Sequence, residues 1–171
     1  MVQSRTLWAE NIYAVDPINI VLEELDMMTY QKVCGRLGRV QEIDLSFGRL
    51  LDMKSLLLGV SRSLCKLDLS HNQLFELPES IGSLLSLTHL FLNDNYLSSL
   101  QPIIIRRLVN LQELDLRNNK FNNFSLDITK LSCLRRLSVQ GNPLNDDETR
   151  KLMKLAHNER WIDIAGECKI L

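Results

Sequence analysis

SLCKLDLSHNQLFELPESIGSLLSLTHLFLNDNYLSSL, residues 63–100, states one pattern twice. In the form LxxLxLxxNxL it reads Leu64, Leu67, Leu69, Asn72, Leu74 and then Leu87, Leu90, Leu92, Asn95, Leu97. Downstream the pattern returns as Leu111, Leu114, Leu116, Asn119, Phe121 and as Leu134, Leu137, Val139, Asn142, Leu144. Upstream a degenerate copy, Val40, Ile43, Leu45, Gly48, Leu50, carries glycine in the asparagine slot. The slot residues 48, 72, 95, 119 and 142 lie 24, 23, 24 and 23 apart, and a fixed period of that size marks a repeat array.

Each part of the template has a physical reason. Apolar residues two apart, such as Leu67 and Leu69 around Asp68, describe a short strand with one buried face. No copy can bury its own leucines, so the copies form a core only by stacking, and five parallel strands are expected. Asn72, Asn95, Asn119 and Asn142 fall where the chain turns inward, so their buried amides must find partners among the backbone groups of neighbouring loops. An asparagine ladder follows.

The template resembles the leucine-rich repeat family over residues 40–144. That resemblance implies an α/β solenoid with a short curved parallel sheet on the concave face and short helical returns on the convex face. The returns fit it. Leu77-Pro78-Glu79-Ser80-Ile81-Gly82-Ser83-Leu84 is the LPxxIxxL form, the next return uses Pro102, Ile104 and Leu108, and the third uses Leu126, Ile128 and Leu131. They resemble the class that includes the Ras-group scaffold and Ras-suppressor proteins, which implies an adaptor in intracellular signalling.

Flanking segments read as caps. In residues 1–39, Asp16-Pro17 is a helix-start signal, and Ile18, Val21, Leu22, Leu25 and Met28 follow at helical spacing toward Gly35, so an N-terminal helical cap is expected. An extra repeat over LEELDMM is set aside because its slot would lie only 18 residues before Gly48. Residues 18–34 also resemble an F-box with the wrong internal spacing, which would imply a ubiquitin-ligase substrate adaptor. In residues 145–171, Asp146 and Asp147 are placed to cap a helix bearing Thr149, Leu152, Met153 and Ala156, after which Trp161, Ile162 and Ile164 would close the last edge.

At 171 residues and 45% hydrophobic, the chain suits one domain, expected as a monomer. Its net charge of −1 argues against a nucleic-acid partner. Cys34, Cys65, Cys133 and Cys168 have no metal-ligand or paired-cap spacing, which points to a reducing compartment. The opening residues contain no basic region followed by an apolar run, and Val2 excludes myristoylation. A cytoplasmic protein is expected. The final Cys168-Lys169-Ile170-Leu171 reads as a CaaX box whose terminal leucine points to geranylgeranyl at Cys168, and membrane association is expected only through that lipid.

Residues between and just after the strand leucines should face the concave side, and the candidate partner-binding set is Asp44, Phe47, Lys66, Asp68, His71, His89, Phe91, Asp94, Glu113, Asp115, Arg117 and Arg136. With Glu42 the face holds six acidic residues against three basic, so a protein partner with a basic patch is expected. Phe91, an aromatic among polar neighbours, is the candidate anchor. Catalysis is not expected. Ser70, His71 and Asp68 are close in sequence but alternate between faces, and His71, His89 and Asp94 have no ligand motif. No metal and no cofactor are predicted. Five strands about 4.8 Å apart, each showing about four residues, make a strip of roughly 20 by 13 Å. That is below the roughly 800 Å² per partner of a standard interface, so a stable complex must also use the loops.

Overall fold

An apolar residue with a polar one on each side can bury one face of an extended segment and leave the other in water, and three residues per repeat suffice. A computed structural model describes residues 20–21, 41–47, 63–124 and 130–158. In it these segments are β2 (Glu42–Asp44), β3 (Lys66–Asp68), β4 (His89–Phe91), β5 (Glu113–Asp115) and β6 (Arg136–Ser138). They pair in parallel in chain order, and β1 (Ile20–Val21) joins the β2 edge, so the sheet has six strands among the described residues. Ile43, Leu67, Leu90, Leu114 and Leu137 share one register row, and none is more than 2% exposed. The fold is a leucine-rich repeat solenoid.

β1 corrects two expectations. At Ile20–Val21 the chain is a strand where its apolar spacing reads as helix, and the sheet has one strand more than the five template copies. Both residues are β-branched and suit a pleated surface, and they pair with a β2 edge whose backbone groups would otherwise lack partners. Ile20 stands opposite Ile43, 23 residues on, which is the repeat period itself. The added strand is in phase with the array and lies earlier in the chain than LEELDMM. The remainder of the expected cap lies outside the described residues.

Behind the sheet, Leu64, Leu69, Leu87, Leu92, Leu111, Leu116, Leu134 and Val139 join the strand row and the returns in one core. Burying each leucine contributes about 1.5–3 kcal/mol, and a lone repeat would forfeit most of it. The first return is a 3-10 helix, Glu79–Ser83, entered through extended Pro78. The second is α1 (Pro102–Arg107), with Pro102 in the first turn, where its missing N–H costs nothing. These returns pack together. Gly82 lets them approach, since a Cβ there would lie 3.1 Å from Arg107 Cδ. In the third, Leu131 is buried, while Leu126 and Ile128 lie outside the described residues.

Closing the described array, α2 spans Asp146–Asn158. Its cap differs from the expectation. The side chain of Asn145 accepts the Glu148 N–H at 2.8 Å, which is the N-cap to N3 bond. Asp146 and Asp147 instead occupy the first turn, where their charge favours the helix dipole. Glu148 is buried and its Oε1 accepts the Phe124 N–H at 3.1 Å, so the helix is bonded to the last return as well as packed through Leu152. Trp161, Ile162, Ile164 and Cys168 lie outside the described residues.

Candidate interaction face

The asparagine slots hold the strands in line. Asn72 Nδ2 donates to Leu69 O of its own repeat at 3.0 Å and to Leu45 O of the preceding one at 2.8 Å. Asn95 bridges Leu92 O and Leu69 O, Asn119 bridges Leu116 O and Leu92 O, and Asn142 bridges Val139 O and Leu116 O. The Oδ1 atoms of Asn95, Asn119 and Asn142 in turn accept the N–H of Leu74, Leu97 and Phe121. Each amide therefore bonds backbone groups of two repeats, which sets the spacing at which the outward side chains are shown.

The residue before each slot adopts a positive φ: Phe47, His71, Asp94, Asn118 and Gly141, at 53° to 72°. This left-handed turn is uncommon for most side chains. It places the five at one rim of the strip, where each meets the next. Phe47 and His71 stack with ring centroids 4.2 Å apart, His71 Nε2 lies 3.5 Å from Asp94 Oδ2, and Asn118 Nδ2 donates to Asp94 Oδ1 at 2.8 Å. At Asp94, burial would raise the pKa. Hydrogen bonds from Asn93 and Asn118 and the charges of His71 and Arg117 outweigh it and hold the carboxyl below its ordinary 3.8.

On the strip, the polar residues flanking the strand leucines form two rows across the strands. One runs Glu42, Lys66, His89, Glu113, Arg136 and the other Asp44, Asp68, Phe91, Asp115, Ser138. Phe91 is only partly buried, with Lys66 Nζ 5.8 Å from its ring centroid and the His89 ring 6.5 Å away. Lys66 pairs with Glu42 at 3.6 Å, and Glu113 takes Arg136 at 2.8 Å and His89 at 3.8 Å. A hollow of about 560 Å³ opens over β3 to β6, lined by residues that include Lys66, Phe91, Glu113, Arg117 and Arg136.

Of the twelve candidate residues, eleven stand on this strip or its rim with exposed or partly exposed side chains. Asp115 does not, being 5% exposed. Its oxygens accept Arg117 Nε at 3.0 and 2.9 Å and the Arg117 backbone N–H at 3.0 Å. That pairing raises the Arg117 guanidinium above its ordinary value, against a smaller lowering by burial. A partner meets the arginine, not the aspartate. Asp44 and Asp68 likewise use Oδ1 to accept the N–H two residues on, at Ser46 and Ser70, which is the local turn bond that aspartate favours. Ser70 is 6% exposed while His71 sits on the rim, so the neighbouring Ser70, His71 and Asp68 do not converge. Among the described residues no group of three His, Cys, Asp or Glu side chains could hold a metal ion, and no helix is long and apolar enough to cross a membrane.

A second exposed feature is not visible in the repeat template. Phe75 and Tyr96, 63% and 46% exposed, stack at 5.4 Å. They occupy different template positions, three residues and one residue past their slots, so reading the template column by column does not pair them.

A curved parallel sheet whose inner wall carries polar and aromatic side chains on an asparagine-locked frame defines a repeat module built to present a surface. The chain belongs to the leucine-rich repeat family: leucine rich repeat models match residues 63–84 and 86–144. It is 34% identical over 113 residues to the leucine-rich repeat-containing G-protein coupled receptor 5 of Rattus norvegicus, covering 66% of this chain and 12% of the receptor. Against chaoptin of Drosophila melanogaster it is 34% identical over 135 residues, 78% of this chain and 10% of chaoptin. The chain thus spans about a tenth of the length of these relatives. Among solved structures, a leucine-rich repeat protein of Leptospira interrogans superposes with a TM-score of 0.60 at 28% identity, covering 85% of this chain and 34% of that one. Family and fold are those of protein-binding modules that are typically non-catalytic, although matched proteins also include one named as an adenylate cyclase.

Proposed function

We propose that this chain is a non-catalytic adaptor that binds a protein partner across its inner wall and the adjoining rim. Phe91 carries the reading. It is an aromatic left partly exposed at the centre of a polar strip, between charged neighbours whose positions are held by the backbone ladder, and such residues anchor interfaces. Six strands about 4.8 Å apart span roughly 24 Å, still short of a standard interface. The footprint therefore extends over the rim, where Phe47 is 67% exposed. Intracellular signalling follows the Ras-suppressor likeness of the returns. A membrane-tethered form through Cys168 is the alternative, and mass measurement of the chain made in eukaryotic cells separates the two. Affinity capture with wild type and Phe91→Ala tests the binding face. Loss of a defined set of partners is expected, and an unchanged set would defeat the reading.

A further inference from the structure

The charges on the inner wall are sorted along the array. On β2 and β3 the strip presents three carboxylates, Glu42, Asp44 and Asp68, against one ammonium, Lys66, which is taken by Glu42. Asp44 and Asp68 stand directly opposite each other in the register. Each uses one oxygen for a backbone N–H, and neither lies in ion-pair contact with a cation of the described residues. Like charges across neighbouring strands repel, so a cation laid between them relieves the pair. Toward β5 and β6 each carboxylate is covered by a cation. The side chains of Asp115 and Glu113 are 7% and 21% exposed, whereas Arg117 and Arg136 above them are 50% and 59% exposed. There the carboxylates lie beneath and the guanidiniums form the outer layer. Phe91 sits between the two halves, in register with Asp68 on one side and Asp115 on the other.

We propose that the inner wall takes a partner segment with segregated charge: cationic residues over Asp44 and Asp68, an apolar side chain on Phe91, and carboxylates over Arg117 and Arg136. This rests on the inner wall being the partner site. From β2 to β6 is four strand spacings, about 19 Å, which an extended segment crosses in about six residues. The partner is thus matched by charge order over a short stretch, and a uniformly basic patch would meet guanidiniums over half its length.

Two peptides of one composition test it: eight residues with two arginines at one end, leucine at the centre and two glutamates at the other, and an isomer with the charges alternating. Binding to the full chain is read by fluorescence anisotropy at low salt. The segregated peptide is expected to bind at least tenfold tighter. Asp44→Asn with Asp68→Asn keeps the oxygens that accept the Ser46 and Ser70 N–H while removing both charges, and this double variant is expected to lose most of the preference. Equal binding of the isomers, an unchanged preference in the double variant, or no measurable binding of the segregated peptide would each overturn the proposal. Equal binding that Phe91→Ala abolishes removes the charge order while leaving the inner wall as the site.

Discussion

Asn119, 1% exposed, joins Leu92 O and Leu116 O through Nδ2 and the Leu97 N–H through Oδ1. Asn119→Ala strands those buried groups, each costing about 1–3 kcal/mol. A loss of about 3 kcal/mol in urea denaturation is expected. Asn142, half-buried, has water as a substitute partner, and its alanine variant should lose about half as much. At Gly141, φ is 72° and a Cβ would stand 2.0 Å from Asn118 Oδ1. Gly141→Ala should cost about 2 kcal/mol, combining left-handed strain with that clash. Adding Asn118→Ala should restore about 1 kcal/mol, a non-additivity that a double-mutant cycle in the same assay measures. The asparagine slots are legible in the sequence because the residue type and the period coincide. The left-handed row is only half legible: Gly141, Asn118 and Asp94 tolerate that turn, whereas nothing in Phe47 or His71 announces it.

The short elements are where sequence spacing and structure differ. Two or three residues carry too little periodicity to identify a strand alone, and β2 to β6 were recognisable only because the template recurs. β1 lacks the template, and Ile18, Val21, Leu22, Leu25 and Met28 offer a competing helical spacing. Pairing with the β2 edge decided it as a strand. For α2 the acidic run Asp146, Asp147, Glu148 signals the helix start, but the cap is one residue earlier. Asn145→Ala is expected to cost about 1 kcal/mol, while Asp146→Ala should cost only about 0.3 kcal/mol through the helix dipole. Thermal unfolding followed by circular dichroism separates the two.

Across the whole molecule, stability depends on stacking, since each repeat touches only its neighbours. Leu90, 1% exposed and in register with both Leu67 and Leu114, lies in the middle of the array. Leu90→Ala should cost about 3 kcal/mol through lost burial and the cavity left behind. Far-UV circular dichroism and tyrosine fluorescence should still follow one coincident transition, and separated transitions would show that the repeats do not share a core. The sequence by itself determined the repeat frame and its buried row, because burying a leucine every two dozen residues admits only stacked strands. It also determined which side chains flank that row. Only the tertiary structure decided which of those side chains reach solvent: Glu113 lies beneath Arg136 of the next strand while Asp44 and Asp68 stay partly exposed. Arg136 covers Glu113 from 23 residues away, a pairing across strands that no local pattern encodes, whereas Arg117 covers Asp115 from only two residues away.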